Sequence, residues 1–361
     1  MPRCVPRMAP VLVLLSLYGC HHEVEMTPLV ERTIYVTDRF YDVTSPSKDR
    51  ALVVGYGGKI LDTNDGGRNW TVVKSGVDKA LYSIYMKDNA GWIAGQDGLI
   101  LHSTDGGKTW AEQHSNAEFV EPDGTKKPAY LFAITGIDDQ HLWAVGDRST
   151  LVTTKDGGVT WTYQKVKIPS ECGVQEELAA ADPVFYDVRF TDASHGWVVG
   201  EFGKILYTAD GGVTWTEQNR SLLEKSGYFD PLDLPSLFGM SVADPQHAAA
   251  AGIEGHIART NDGGTTWAYD TLDVGEFKMQ DPLFDLEEFP DGSGWAVGAA
   301  GEIFRREPGA SSLKRASIGQ DVLTWLRAID FSDQQNGWMV GGFGLIFRTT
   351  DGGKTWLPAQ G

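Results

Sequence analysis

The segment Gly91-Trp-Ile-Ala-Gly-Gln-Asp-Gly-Leu-Ile-Leu-His-Ser-Thr-Asp-Gly-Gly-Lys-Thr-Trp110 contains two short patterns that recur along the chain. The first is an apolar triplet that ends at a glycine. The second, the Asp-box, runs from a hydroxyl residue through Asp-Gly-Gly to a tryptophan. Short apolar runs bounded by glycines are typical of strands rather than helices. Each unit is therefore predicted to contain strands joined by tight turns.

The glycine-ended pattern occurs seven times, at intervals of about 48 residues, which is the usual length of a propeller blade. Its copies end at Gly55, Gly95, Gly146, Gly200, Gly252, Gly298 and Gly341. The sixth copy lacks an Asp-box and has Arg305-Arg-Glu-Pro in its place. These repeats predict an all-β fold, a seven-bladed β-propeller of four-stranded antiparallel blades with Asp-box hairpins, over residues 32–361. Whether Arg32–Thr37 adds a strand to the last blade is left open.

The Asp-boxes are predicted to be structural turns. Asp accepts hydrogen bonds from nearby backbone N–H groups, Gly-Gly allows positive φ, and the tryptophan packs back over the turn. A calcium loop would need alternating oxygen ligands and a terminal Glu, which the boxes lack, so no metal is assigned. The predicted structural residues are Asp65, Asp105, Asp156, Asp210, Asp262, Asp351, Trp70, Trp110, Trp161, Trp215, Trp267 and Trp356. Of the 12 tryptophans, only Trp325 falls outside both patterns.

The N-terminus has the features of a secretion signal. Arg3 and Arg7 precede a short apolar run that ends in Leu17-Tyr-Gly-Cys20, which resembles the lipobox of bacterial lipoproteins. We expect residues 1–19 to be a lipoprotein signal peptide, Cys20 to carry the lipid, and residues 20–31 to form a tether. An ordinary cleaved signal with an incidental cysteine is the alternative. The predicted location is the cell envelope, lipid-anchored on the outer membrane or facing the periplasm.

The charge of the chain excludes one class of function. With 49 acidic and 31 basic residues, the formal net charge is −18, so a nucleic-acid binder that neutralises phosphates is not expected. Phosphate-binding, zinc-protease and serine-hydrolase motifs are absent from the sequence. We therefore expect no cofactor and no nucleic-acid partner, and we expect a monomer.

Two sets of residues are candidate sites. The turns between second and third strands share one face, and their candidate binding residues are Tyr56, Gln96, Asp97, Asp147, Arg148, Glu201, Phe202, Glu254 and Phe343. This set is either a solvated rim or a mouth that binds a cationic or aromatic partner. The second set, Asp42, Asp187 and Asp285, shares one position of the first strand, where alternation turns it away from its neighbours. These carboxylates either bond adjacent blades along the tunnel wall or form a functional cluster.

The combined pattern from the glycine-ended triplet to the box tryptophan resembles the photosystem II stability and assembly factor family and its relatives in non-photosynthetic bacteria. The resemblance covers about residues 38–357. It implies a non-enzymatic scaffold that binds or helps to assemble a membrane or envelope protein complex. The strongly acidic composition and the scattered arginines depart from that family, whose members have an arginine-rich surface patch.

The alternative is a glycoside hydrolase of the sialidase type, since sialidases also contain Asp-boxes. That chemistry needs an arginine cluster, a Tyr–Glu pair and an acid/base Asp. The Phe/Tyr-Arg-Ile-Pro motif that carries the first of these arginines is absent. Arg189 and Arg327 lie on first strands, but at different positions of the repeat. No catalytic residue is therefore assigned.

Overall fold

Four strand positions repeat around the molecule, which we describe from a computed structural model covering residues 32–121, 123–168, 182–228, 230–275 and 278–359. The first strands of blades one to seven are Phe40–Ser47, Leu81–Lys87, Leu131–Gly136, Phe185–Phe190, Leu237–Asp244, Leu283–Glu288 and Leu326–Phe331. The second strands are Arg50–Gly55, Ala90–Gly95, Leu142–Gly146, Gly196–Gly200, His247–Gly252, Gly294–Gly298 and Gly337–Gly341.

The outer half of each blade is shorter. The third strands are Lys59–Thr63, Leu99–Ser103, Thr150–Thr154, Ile205–Thr208, Ile257–Thr260, Ile303–Arg306 and Ile346–Thr349. The fourth strands are Thr71–Lys74, Ala111–His114, Thr162–Lys165, Thr216–Glu217, Ala268–Tyr269, Ser312–Arg315 and Leu357–Pro358. Within each blade the four strands pair in sequence order and antiparallel, which confirms the predicted all-β seven-bladed propeller.

A few elements lie outside the repeat. Strand Thr271–Asp273 adds to blade six, parallel to its fourth strand. A small hairpin of Glu118–Val120 and Lys126–Pro128 follows blade two. The long connection after blade four contains helix Arg220–Ser226. No helix among the described residues is both long enough and apolar enough to cross a membrane.

The core lies between blades. The second strands are buried along nearly their whole length, since both of their faces pack against neighbouring blades. Their tryptophans reach the Asp-box of the following blade. Trp92 and Trp143 donate from Nε1 to Gly157 O at 3.2 Å and Gly211 O at 2.9 Å. Each box therefore packs against the preceding blade as well as forming its own turn.

The second box illustrates how the turn is held. The Ser103 hydroxyl donates to Asp105 Oδ1 at 2.9 Å and accepts from Gly107 N at 2.8 Å. Asp105 also accepts from the backbone N of Thr109 at 2.9 Å and from its hydroxyl at 2.7 Å. These bonds, led by that of the Thr109 hydroxyl, lower the pKa of Asp105 to about 2. Trp110 Nε1 donates to Gly107 O at 3.0 Å, so the indole folds back over the turn.

Blades five and six differ from this arrangement. The second-strand tryptophan of blade five is replaced by Ala249, and the box of blade six is missing. Arg306 stands where a box would begin and pairs with Asp270. Arg259 pairs with Asp270 at 2.9 Å and with Glu288 through both guanidinium nitrogens. A buried ion-pair network thus occupies the space of the lost tryptophan–box contact.

The ring closes through contacts between first strands rather than by a shared sheet. The first strand of blade one packs on that of blade seven, and Ser45 N donates to Asp330 at 2.6 Å. Residues 32–37 form no strand. Residues 33–37 lie over this junction, where Gly344 N donates to Asp38 O at 2.9 Å and Lys59 donates to Thr33 O. The propeller belongs to the unit Thr33–Gly361. The proposed signal peptide, Cys20 and residues 21–31 lie outside the described residues.

The Asp105→Ala variant should melt a few degrees below the wild type, because the turn loses its hydrogen-bond acceptor. The pKa of Asp105 is depressed in the folded protein, so its contribution is complete above about pH 4 and disappears as the pH falls towards about 2. Thermal unfolding at several pH values measures both effects. The exposed Asp139, replaced by Ala, serves as the control. An unchanged Tm for Asp105→Ala would contradict the structural role of the box.

Candidate functional site

A β-bulge near the start of every first strand determines what lines the central tunnel. The register with the second strand shifts between the first and third residues in all seven blades, for example between Leu81 and Ser83. Simple alternation predicted that the aromatic residue and its neighbour point to opposite sides. That expectation was wrong, because the bulge turns both side chains into the tunnel.

The bulged residues form a ring that we call the collar. It consists of Tyr41, Tyr82, Phe132, Tyr186, Phe238, Phe284 and Arg327. Neighbouring aromatic centroids lie 5.1–5.9 Å apart from Tyr41 round to Phe284. Arg327 completes the ring with its guanidinium carbon 5.5 Å from the Phe284 centroid. All seven side chains are half-buried, so the tunnel mouth presents a continuous surface of aromatic rings and one cation.

Trp325 extends this surface. It precedes the first strand of blade seven and stacks on Tyr41, with centroids 6.0 Å apart and planes 11° from parallel. It is the one tryptophan outside both sequence patterns, so its position in the sequence already set it apart from the core tryptophans. Its place beside the collar could not be predicted from the repeat patterns.

The three carboxylates at the next position line the tunnel just below the collar, and each reaches a backbone amide of the following blade. Asp42 accepts from Ile84 N at 2.8 Å, Asp187 from Met240 N at 2.8 Å, and Asp285 from Ile329 N at 2.9 Å. The Ser83 hydroxyl makes the equivalent bond to Ile134 N at 3.2 Å. In this structure, the carboxylates are therefore engaged in joining blades.

Deeper in the tunnel lies a group of charges that the sequence interpretation did not assemble. Arg189 pairs with Asp187 at 2.8 Å, and the charges of Glu287 and Asp330 act on the same group. Arg189, Glu287 and Asp330 each lie two residues after the first-strand position that Asp187, Asp285 and Ala328 occupy. Comparing the repeats at this position would have revealed the group from the sequence. Among the described residues, no group of three or more His, Cys, Asp or Glu side chains is arranged to hold a metal ion.

Burial raises the pKa of these tunnel acids, with Arg189 acting in the opposite direction. Burial raises the pKa of Asp42 to about 6 and that of Asp285 to about 7. The pKa of Glu287 rises well above its usual range, through burial and then through repulsion by Asp330. Near neutral pH part of the cluster therefore holds protons, which reduces the excess of negative charge around Arg189.

The turns between second and third strands surround the collar, and their first residues serve the scaffold. Gln96 accepts from Ala80 N at 3.3 Å, Asp147 from Tyr130 N at 3.0 Å, and Glu201 from Val184 N at 2.9 Å. Each of these acceptors holds the chain that enters the first strand of the same blade. These three candidates are thus less available to a partner than their sequence position suggested.

The second turn residue has left-handed backbone in every blade. The seven positions are Gly57, Asp97, Arg148, Phe202, Glu254, Ala300 and Phe343, with φ between 52° and 65°. Lys79 lies 3.7 Å from Asp97, Glu121 lies 3.3 Å from Arg148, and Lys278 lies 3.3 Å from Glu254, so these charges are paired.

Two aromatic candidates are strongly exposed in adjacent blades. Tyr56 in blade one keeps 60% of its surface exposed, and Phe343 in blade seven keeps 61%. The Arg39 guanidinium lies 5.7 Å from the Tyr56 ring centroid. In the long connection after blade four, by contrast, Tyr228 packs against a core cluster. The exposed aromatic surface of this face thus continues outward from the Tyr41 side of the collar.

Removing the charge of Asp285 should change how stability depends on pH. Burial raises the pKa of this acid above its value in the unfolded chain, so the folded state loses stability as the pH rises from about 4 to about 7. Asp285→Asn keeps an oxygen for Ile329 N, and its loss of stability from about pH 5 to about pH 8 should be about 1–3 kcal/mol smaller than that of the wild type. Denaturant unfolding measures this, with Asp139→Asn as control. Equal pH profiles for Asp285→Asn and the wild type would refute the raised pKa.

Comparison with known proteins agrees with this architecture. A family model described as "Photosynthesis system II assembly factor YCF48" matches residues 23–119 and 173–234. Photosystem II assembly lipoprotein Ycf48 of Synechococcus sp. (strain CC9902) is 27% identical over 178 residues, which cover 49% of this chain and 46% of the relative. The chloroplastic photosystem II stability/assembly factor HCF136 of Oryza sativa subsp. japonica is 24% identical, over 62% of this chain and 49% of the relative. The chain thus spans about half the length of these relatives.

Solved structures share the fold. The structure titled "YCF48 bound to D1 peptide" has a TM-score of 0.63 and 19% identity, and the alignment covers 87% of this chain and 94% of that one. YCF48 from Cyanidioschyzon merolae has a TM-score of 0.65, also at 19% identity, over 87% and 96% of the two chains. An ancestral GH74 enzyme has a TM-score of 0.65 at 11% identity, over 90% of this chain and 46% of its own. By its repeats, its fold and its named relatives, the chain is similar to the photosystem II assembly factor propellers.

Proposed function

We propose that this protein is a non-enzymatic scaffold whose collar face binds a polypeptide segment of a membrane protein complex and assists assembly of that complex. The observation that carries the proposal is the unbroken collar at the tunnel mouth, continued outward by Tyr56 and Phe343. Aromatic surface of this kind, exposed on a rigid framework, is typical of recognition sites.

The relatives support the same role. The named relatives are photosystem II assembly factors, and one structure of this fold is titled as bound to a D1 peptide. From these relatives we infer for this chain only the general role, which is contact with an exposed segment of a membrane protein. The client of this chain need not be a photosystem, since its acidic composition differs from that expected of the family.

A scaffold also explains the tunnel better than a hydrolase does. The carboxylates Asp42, Asp187 and Asp285 accept bonds from backbone amides of the next blade, so they are committed to holding the ring. A glycosidase would need two carboxyl groups free to flank a sugar bond. The GH74 neighbour shares the propeller but only 11% of its sequence.

A photo-cross-linking residue at position 343 should capture the client. With the photoreactive amino acid in place of Phe343, irradiation of cells should give a discrete adduct with a membrane protein, identified by mass spectrometry. The matched control places the same amino acid at Val159, which is 83% exposed in the box turn at the opposite end of blade three. Equal labelling from both positions, or no adduct from position 343, would contradict the assignment of the collar face. Turnover of a sialoside or glucan would favour the hydrolase.

The scaffold is proposed to act at a membrane surface through a lipid on Cys20, with residues 1–19 removed. One relative is named as a lipoprotein, which supports the anchor. The Cys20→Ala variant should leave the membrane fraction, because several acyl chains on one residue bind bilayers firmly and the protein without them does not.

Fractionation followed by immunoblotting measures this change. Cys4→Ala is the matched control, since Cys4 would be removed with the signal peptide, and it should remain with the membranes. Retention of Cys20→Ala in the membrane fraction would rule out the proposed anchor.

A further inference from the structure

The collar is asymmetric, and the asymmetry lies at the junction of blades seven and one. Six of its positions are aromatic, while Arg327 occupies the seventh. Arg327 is held over Phe284 and donates to Phe284 O at 3.3 Å. Tyr41 and Trp325 stack beside it. A cation is thus fixed within an otherwise aromatic ring.

A second arginine lies near Tyr41. Arg39 is exposed, and its guanidinium carbon lies 5.7 Å from the Tyr56 ring centroid. Burial raises the pKa of the Tyr41 hydroxyl, and the charges of Arg39 and Arg327 both oppose that rise. The charges of both guanidinium groups therefore act on the same hydroxyl.

Neither arginine forms an ion pair with any carboxylate in the part of the chain that the structure describes. Other arginines do pair in this way, namely Arg50, Arg148, Arg189, Arg220, Arg259, Arg305, Arg306, Arg315 and Arg348. In a chain with 49 acidic and 31 basic residues, carboxylates are plentiful. Two unpaired arginines beside one aromatic stack therefore stand out.

The acidic residues of the same face lie elsewhere on the ring. Asp97 and Glu254 are paired with lysines, while Asp147 and Glu201, in blades three and four, accept backbone hydrogen bonds and keep their negative charge. The sequence suggested a mouth for a cationic or aromatic partner. In the structure, the unpaired positive charge of the mouth is concentrated at the junction of blades seven and one.

We propose that Arg39 and Arg327, together with Tyr41 and Trp325, form a receptor for a carboxylate carried by an extended peptide next to an apolar or aromatic side chain. Guanidinium groups bind carboxylates through charge-assisted hydrogen bonds, and the rings supply a flat apolar surface for the adjoining side chain. This inference rests on the proposed function and goes further by naming the chemistry of the segment bound.

The tunnel mouth is narrow. The space lined by the collar and the neighbouring first-strand residues has a volume of about 40 Å³, so it admits a small chemical group rather than a length of chain. A folded domain could contact the rim but could not enter.

The test compares two forms of one probe, N-acetyl-Gly-Ala-Phe with a free carboxylate and the same peptide as its amide. Binding to the full chain labelled with 5-fluorotryptophan is followed by ¹⁹F NMR at low salt, with the Trp325 resonance assigned from Trp325→Phe. The free acid should bind about tenfold more tightly than the amide and should shift the Trp325 resonance.

Arg39→Gln and Arg327→Gln should each reduce this acid-to-amide preference severalfold, and the double variant should abolish it. Arg148→Gln is the matched control on the same face, where Glu121 already pairs with the arginine, and it should keep the full preference. Since Arg39 is exposed, its variant is expected to fold, which thermal unfolding verifies. Equal binding of acid and amide by the wild type, or a preference unaffected by both substitutions, would overturn the receptor.

The two proposals fail separately. A membrane-protein adduct from position 343, together with equal binding of acid and amide, would leave the scaffold role standing and remove the carboxylate receptor. An acid preference that depends on both arginines, without any adduct from position 343, would support the receptor and count against the client-binding role.

Discussion

The tie between neighbouring blades is the interaction on which the rest of the molecule depends. A first-strand side chain crosses to a backbone amide of the next blade, from Asp42, Ser83, Asp187, Ser241, Asp285 and Asp330. These bonds fix the bulge geometry and the spacing of the seven collar residues. Between blades three and four, where the tunnel position is Ala133, Phe190 instead stacks on Trp143 with centroids 3.7 Å apart. The site is therefore shaped by the same contacts that close the ring.

Blade six shows how an outer contact between adjacent blades is replaced. A second-strand tryptophan usually contacts the Asp-box of the next blade, although blade one has Leu52 at this position and blade two keeps its box. Blade five has Ala249 in place of the tryptophan, blade six has no box, and Arg259 with Glu288 fills the gap. Buried ion pairs need full pairing to be tolerated, and this network supplies two arginines and two carboxylates. At this junction, an ion-pair network thus replaces the contact between a tryptophan and an Asp-box.

The repeat patterns were sufficient to predict the fold, because glycine turns and apolar triplets are local features. The sequence also brought Asp42, Asp187 and Asp285 to one level of the tunnel. It did not predict the collar, since a bulge depends on pairing between strands and breaks the alternation that a linear pattern assumes. It left open whether the rim binds a partner, because the lysine and backbone amides that engage Asp97, Asp147 and Glu201 come from other parts of the chain. Trp325, the exception to both patterns, and Arg327, which stands where the other first strands have an aromatic residue, were the clues to the asymmetric side.

The left-handed residue of each turn has a consequence for how such a surface diversifies. The glycine that follows it is packed against backbone, as at Gly58 and Gly301, where an added Cβ would lie 2.0 Å from a carbonyl oxygen. The side chain of the left-handed residue itself faces outward. Gly, Asp, Arg, Phe, Glu and Ala all occupy this position with nearly the same φ. The seven turns therefore offer positions of fixed backbone geometry at which the side chain can vary. Binding specificity could therefore evolve by single substitutions at these turn positions, without any change in the backbone of the propeller.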